Sequence, residues 1–372
     1  MKRLRFTVVC ALGLACSKSS SPAAPASSAD GGVATETHAD TTAIARAADQ
    51  RRASDVGDRA LTSHDVVVRR LAARALARIA DDASESGLYR ALSDEDSEVA
   101  AWGAYGLGFS CKGKEDAHVT ALAARAASID EKKIDPAARI DLRMSIARAV
   151  GHCGSGVAER LLASWVRAHD AWSEPATFGL GDIANKKGSL SDETTTTLLE
   201  AAAPNANGTT VGTALYPFSR APHVVDAFAQ RVLESARDGL ASDSPTRIFS
   251  VRALARVGPI AAGDLSRVAS SITFSLIERA EAARGLGQLG LAGKQGASDA
   301  LVKIVGDLGP DIARVLGDMF VIVDTLINDL GADAPSNSTH ALQALFPMSL
   351  TDSSPAKNLR ISILHCDAAS AL

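Results

Sequence analysis

The chain has 372 residues, of which 46% are hydrophobic and only 4% are aromatic, so its core must consist mainly of Ala, Leu, Val and Ile. Its formal net charge is −4, from 39 basic and 43 acidic residues. These charges are mixed along the predicted helices with no basic stripe between aromatic residues, which excludes the usual pattern of a nucleic-acid-binding protein.

The amino terminus predicts export. Three basic residues precede the apolar run Phe6 to Leu14, which is too short to span a bilayer. The run from Leu12 to Cys16 resembles a bacterial lipobox, and the resemblance implies that residues 1–15 are a signal peptide and that Cys16 carries the lipid. The alternative is an ordinary secretory signal cut near Ala15.

Residues 16–42 are rich in Ser, Ala, Pro and Thr and predict a disordered tether. A flexible chain of about 25 residues would hold the folded part roughly 25 to 30 Å from its anchor. Ser17 rather than Asp follows Cys16, which by resemblance to sorted lipoproteins favours the outer membrane, facing the periplasm. Without the signal peptide, 36 basic residues oppose 43 acidic ones, a net charge of −7.

A sequence motif then recurs along the chain, in which Asp, Val and Arg precede small or apolar residues at helical spacing. We call this motif the repeat phrase. Its clearest copy runs from Asp65 to Ala77. One leucine-like residue of each copy serves as the mark of that repeat. These marks are Leu76, Leu107, Val150, Leu180, Leu254 and Leu286. Most intervals are 30 to 43 residues, and the gap of 74 predicts two degenerate repeats, the middle one near Ala214 and Phe218. A period of this size indicates a stacked array.

Second apolar segments lie between these helices. They are Gly87–Leu92, Val119–Ala126, Val157–Val166, Val224–Leu233, Leu265–Ile272 and Ala300–Val305. The alternation of helix and turn resembles the short bacterial HEAT repeat over most of residues 60–320, and it is poor between Asn185 and Pro222. The resemblance implies an all-α solenoid of stacked helix pairs, which we assign to residues 43–350.

Residues 351–372 are predicted to be a terminal linker and a partial repeat helix. The stripe from Leu359 to Leu372 is apolar, as in a first helix of the repeat. Two interpretations are open: an incomplete array that lacks the next helix, or a short cap that folds back on the preceding repeat.

Two pairs of side chains are candidates for a structural or binding role. Cys111 and Cys153 lie at nearly equivalent positions, at the ends of the helices of successive repeats. This placement allows either a disulfide or two small buried thiols. Trp165 and Trp172 flank a turn and are candidate partner contacts, because aromatic residues often anchor interfaces.

Several motifs that suggest catalysis or metal binding do not have the required context. Gly285, Gly287 and Gly290 spell GxGxxG, but they end a helix instead of following a strand, so they are predicted to pack helices. Ser354 and Lys357 form an SxxK that Pro355 interrupts. The clusters His152–Cys153 and His365–Asp367 lack metal-ligand spacing. We therefore predict no catalytic residue, metal or cofactor.

The lipobox-like stretch and the resemblance to HEAT proteins together imply a lipid-anchored scaffold of the cell envelope that binds a protein partner and is not an enzyme. We expect the partner on a concave surface lined by the second helices. An alternative is the HEAT part of a cyclophilin-type prolyl isomerase fusion whose catalytic domain is absent from this chain, since HEAT arrays that open with a stretch similar to Ala47–Arg52 are sometimes joined to such a domain. HEAT proteins related to bilin lyases share the short repeat, but no supporting site is found.

Overall fold

The computed structural model describes residues 41–129, 141–203, 212–241 and 244–289. The predicted signal peptide, Cys16, most of the tether and the carboxyl-terminal segment 351–372 lie outside these residues, as do Gly290, the SxxK and the cluster at His365. Residues 41 and 42, assigned to the tether, instead belong to the first helix, α1, which covers residues 41–49.

The described residues form helices joined by short turns. They are α2 (Asp58–Leu61), α3 (Val66–Ile79), α4 (Glu85–Leu92), α5 (Ser97–Phe109), α6 (Glu115–Ala127), α7 (Leu142–Cys153), α8 (Gly156–Ala168), α9 (Ser173–Lys187), α10 (Asp192–Ala201), α11 (Tyr216–Arg220), α12 (Asp226–Ala241), α13 (Arg247–Val257), α14 (Ala262–Ser270) and α15 (Leu276–Gln288). Short 3-10 helices at Ala53–Asp55, Asp82–Ser84 and Pro259–Ala261 connect some of them. None of these helices is both long and apolar enough to cross a bilayer.

The helices form two layers, as the repeat pattern predicts. Helices α3, α5, α7, α9, α11, α13 and α15 pack each against the next and form what we call the first row. Helices α4, α6, α8, α10 and α12 pack in the same way, and with α14 they form the second row. The described residues therefore form an all-α solenoid, and each repeat contacts mainly its neighbours.

The Asp of the repeat phrase starts the first-row helices. Asp65, Asp96 and Asp141 occupy the N-cap positions of α3, α5 and α7, where each carboxylate accepts a hydrogen bond from a backbone N–H two or three residues further on. Such a cap satisfies a donor that the helix leaves unpaired. The phrase therefore fixes where each helix begins.

Glycines of the phrase let first-row helices approach closely. A Cβ on Gly108 would lie 2.7 Å from the Cα of Ala149, and one on Gly151 would overlap the carbonyl oxygen of Gly179. Gly285 likewise faces Ala255, with only 2.8 Å between the two Cβ positions. Gly285 and Gly287 both lie buried inside α15 and not at a strand-to-helix turn, and Gly285 has the packing role the sequence suggests.

The region between Asn185 and Pro222 continues the array despite its poor pattern. Thr194, Thr195 and Thr197 of α10 are all at least 94% buried, and the Thr197 hydroxyl donates to the carbonyl oxygen of Glu193 at 3.0 Å. A threonine can therefore replace an apolar core residue here, because its hydroxyl is satisfied within its own helix. Helix α11, near the predicted middle repeat at Phe218, packs between α9 and α13.

Ion pairs join consecutive first-row repeats. Arg69 contacts Asp94 with Nε–Oδ2 at 3.0 Å, and Arg70 contacts Asp96 with Nη2–Oδ2 at 2.7 Å. Arg148 bonds Asp182 at 2.9 Å, Arg247 bonds Glu278 at 2.7 Å, and Arg252 bonds Glu281 at 2.9 Å. The arginine of the phrase thus reaches an acidic group of the next repeat, about one period away.

Candidate protein-binding surface

The outward face of the first row carries one type of residue at one position. In α11 we take Phe218 as the residue equivalent to the leucine-like mark of the other six repeats. Two residues before this mark, the seven first-row helices carry only arginine or an aromatic residue: Arg74, Tyr105, Arg148, Phe178, Tyr216, Arg252 and Arg284. We call this set the Arg–aromatic row. Its members are exposed or half-buried, because the opposite side of each helix packs on the second row.

The first half of the row is a chain of ring contacts. The Arg74 guanidinium lies 5.6 Å from the centroid of the Trp102 ring. Trp102 contacts Tyr105 at 5.8 Å between centroids, and Tyr105 contacts Phe109 at 4.6 Å. Phe109 then meets His152 of α7 at 4.5 Å. Tyr105 and Phe109 remain 44% and 53% exposed, so two large rings face solvent on neighbouring turns of α5.

A polar cluster lies at the centre of the row. Asp182 is buried and accepts hydrogen bonds from Nε and Nη2 of Arg148 at 2.9 and 3.0 Å. His152 Nε2 lies 3.8 Å from the same carboxylate. Burial lowers the pKa of His152, while the charge of Asp182 opposes this change only in part. The hydrogen bond to Asp182 raises the pKa of Arg148, so the arginine stays charged.

The second half of the row is a cluster of three rings. Phe178 contacts Tyr216 at 4.6 Å, and Tyr216 contacts Phe249 at 5.1 Å between centroids. Gly181 makes room for this cluster, because a Cβ there would overlap the Tyr216 ring. Side chains from α9, α11 and α13 therefore meet on one surface.

The two rows of helices differ in charge. Helices of the first row contain 14 basic and 5 acidic residues, whereas helices α4 to α14 of the second row contain 7 basic and 11 acidic residues. The expectation that no basic stripe runs between aromatic residues is thus wrong for this face. The reason is that its members lie about one repeat apart in sequence, and only stacking brings them together.

The predicted contact residues Trp165 and Trp172 lie elsewhere. Their rings contact each other at 4.8 Å between centroids and pack partly buried against the core, where α8 leads into α9. The Ser173 hydroxyl bonds the Trp165 carbonyl oxygen at 2.9 Å and holds this turn. The pair is separate from the Arg–aromatic row.

Cys111 and Cys153 are joined in a disulfide. Their Cα atoms are 5.1 Å apart, and the bridge closes a loop with a sequence separation of 42. It links the end of α5 to the end of α7, where both residues are buried. The equivalent positions of the two cysteines in successive repeats account for this pairing.

The sequence did not single out His118, which is completely buried beside the disulfide. Its Nδ1 lies 2.9 Å from the carbonyl oxygen of Leu107, and its Nε2 lies 3.0 Å from Glu85. Hydrogen bonds from Lys114 and His118 lower the pKa of Glu85. The ligand atoms of His118 and the two cysteines lie within 4.8 Å of one another. However, the sulfurs are bonded to each other and both ring nitrogens have partners, so the arrangement fits a structural role better than a metal site.

Comparison with known proteins gives structural likeness only. No protein-family model and no curated protein matches the chain. The structure of the CpcE–CpcF complex of phycocyanin lyase from Nostoc sp. PCC7120 is 18% identical, covering 64% of this chain and 94% of that one, with a TM-score of 0.38. Human deoxyhypusine hydroxylase is 16% identical over 78% and 97%, with a TM-score of 0.28. An engineered protein is 18% identical over 76% and 97%, with a TM-score of 0.24.

The prediction that the chain is not an enzyme is wrong. The structures that resemble it include a lyase and a hydroxylase. At these identities and TM-scores the likeness assigns no activity to this chain, and catalysis is not excluded.

Proposed function

We propose that this protein is a binding scaffold that holds a protein partner on its Arg–aromatic row. The observation that carries the proposal is the restriction of seven successive repeats to arginine or an aromatic residue at one outward position. Core packing does not require this restriction, because these side chains are exposed or half-buried. Arginine and large aromatic residues are the types enriched at binding hot spots.

The proposal moves the partner from the second row, where the sequence suggested it, to the first row. It also includes the anchor: Cys16 would hold the solenoid at the outer membrane through a lipid, with residues 16–40 as the tether. The basic n-region, the short apolar run and the lipobox-like stretch support this location. No observation favours the cyclophilin-type fusion, and we do not propose it.

Site-specific photo-crosslinking tests the partner surface in intact cells. A photoreactive phenylalanine analogue replaces Phe109, which contacts Tyr105 of the row, and in a control chain it replaces Val157, which is 39% exposed on α8 of the second row. We expect one discrete protein adduct from position 109 and none of that size from position 157. Equal adducts from both positions, or none from position 109, contradict the proposal.

A further inference from the structure

The charges along the first row are unequally neutralised. Its helices contain five acidic residues, and Glu98, Asp182, Glu278 and Glu281 each contact an arginine of the preceding repeat. The acids are thus largely engaged inside the array. The excess positive charge of the first row therefore comes from arginines that are not in these pairs.

Four arginines of the first row have no carboxylate within salt-bridge distance among the described residues: Arg74, Arg78, Arg220 and Arg256. Arg74 lies over Trp102, and Arg256 bonds only the neutral side chain of Gln288, at 3.3 Å. Arg74 and Arg78 lie on α3, whereas Arg220 and Arg256 lie on α11 and α13. Two cationic groups therefore flank the aromatic centre of the row.

The pattern of charge and rings specifies a ligand chemistry. A ligand that spans the row meets arginines without a described carboxylate partner at both ends and rings between them, and near its centre the buried carboxylate of Asp182 neutralises the charge of Arg148. A nucleic acid would place phosphates beside this neutralised pair, whereas a peptide can place uncharged residues there. The arrangement therefore favours a polypeptide with acidic ends.

We propose that the Arg–aromatic row binds an extended, acidic segment of a partner protein, with apolar residues at its centre and carboxylates at both ends. This rests on the proposed scaffold function and specifies its partner. Neighbouring helices lie about 8 to 10 Å apart, so the distance from α3 to α11, which carries the nearer arginine of the second cationic group, is roughly 32 to 40 Å. An extended segment of about 12 residues covers this distance.

Fluorescence anisotropy with the purified full chain tests the inference. The probe is a 12-residue peptide with three glutamates at each end and six apolar or uncharged residues between them, and its matched control has lysines in place of the glutamates. We expect the acidic probe to bind at least about tenfold more tightly and to weaken about tenfold when salt rises from low to moderate ionic strength.

Charge-reversal variants locate the binding. Arg74→Glu with Arg78→Glu, and separately Arg220→Glu with Arg256→Glu, are expected to weaken the acidic probe about tenfold or more. The control pair Arg160→Glu with Arg231→Glu changes two exposed arginines of the second row and is expected to change affinity less than about twofold. Circular dichroism checks that each variant melts as the unchanged chain does.

Three results overturn the inference: equal binding of the two probes, equal losses from variants of both rows, or displacement of the acidic probe by single-stranded DNA at lower concentration. If position 109 still gives its partner adduct in any of these cases, the scaffold function stands and only the partner chemistry is wrong. If position 109 gives no adduct, the crosslinking experiment itself contradicts the scaffold function.

Discussion

Arg247 of α13 donates hydrogen bonds from Nε and Nη2 to the two carboxylate oxygens of Glu278 in α15, at 2.7 and 2.9 Å. Their side chains are only 13% and 8% exposed. Glu278 also accepts a hydrogen bond from the backbone N–H of Ser275 at 2.7 Å. This bidentate ion pair is the most buried of the described arginine contacts that join first-row repeats.

The substitution Arg247→Ala should strongly destabilise the array. It leaves a buried carboxylate without its cation, which costs about 3 kcal/mol in free energy of unfolding. Urea unfolding of the full chain measures this change. Arg267→Ala removes a pair in which the arginine is 57% exposed, and it should cost less than about 0.5 kcal/mol. Equal losses in the two variants would show that burial of the pair does not matter.

The same pair predicts a pH dependence. Burial alone would raise the pKa of Glu278, but hydrogen bonds from Arg247 and Ser275 outweigh it and lower the pKa below its ordinary value of 4.5. The stability from this group is therefore present above pH 4.5 and is lost as pH falls through the lower folded-state pKa. The difference in unfolding free energy between the unchanged chain and Glu278→Gln should shrink in that interval. A difference that stays constant with pH would refute this linkage.

Glycine packing can be tested with a matched pair of alanine substitutions. A methyl group at Gly151 would overlap the Gly179 carbonyl oxygen, whereas nothing lies within 4 Å of a Cβ at Gly263 in α14. We expect Gly151→Ala to lower the free energy of unfolding by about 2 kcal/mol. Gly263→Ala should raise it by up to about 1 kcal/mol. Thermal melts decide between this outcome and a general intolerance to alanine.

The disulfide should contribute measurably to stability. Closing a loop with a sequence separation of 42 restricts the unfolded chain and corresponds to about 4 kcal/mol in the chain-entropy model. A reductant should therefore lower the melting temperature of the unchanged chain. It should have no effect on the double variant Cys111→Ala with Cys153→Ala. Mass spectrometry of a non-reduced digest detects the linked peptides, and their absence from protein purified from cells without reductant would contradict the bridge.

Protonation of His152 should weaken the folded state at mildly acidic pH. Burial depresses its pKa from the ordinary value of 6.5, so the folded chain binds this proton less well than the unfolded chain. The favourable contribution is present above pH 6.5 and falls as pH drops below that value. The melting temperature of the His152→Gln variant should therefore fall less between pH 7 and pH 5 than that of the unchanged chain. A greater loss in the variant would assign the dependence to other groups.

Lipid attachment at Cys16 can be tested in cells. The variant Cys16→Ala should neither incorporate a palmitate analogue nor sediment with membranes, because no other residue would carry the lipid. Cys366→Ala serves as the control and should keep both properties. A Cys16→Ala chain that still labels and sediments would remove the anchor from the proposal.

The sequence predicted the two rows because each helix repeats the same local chemistry. An N-cap carboxylate such as Asp96 and a small residue such as Gly108 act within one repeat and its neighbour, so spacing alone reveals them. Helix α10 was harder to recognise because its core positions hold Thr194, Thr195 and Thr197. Their buried methyl groups act as apolar residues, although a simple hydrophobic pattern counts threonine as polar.

The candidate surface escaped sequence reasoning for a different reason. Tyr105, Arg148 and Tyr216 belong to three helices and show no local pattern. A signal was nevertheless present: aligning the repeats on their leucine-like marks places all three at the same position. A stripe that runs across the helices leaves no basic run within any single helix.

The covalent link between the ends of α5 and α7 also has a mechanical consequence. Because repeats contact mainly their neighbours, a force pulling along the array acts on its joints in series, and the weakest joint opens first. The bridge from Cys111 to Cys153 prevents separation at one joint. Under such a load, Phe109 and His152 would keep their spacing while other joints extend, so a partner seated there would remain held on a stretched array.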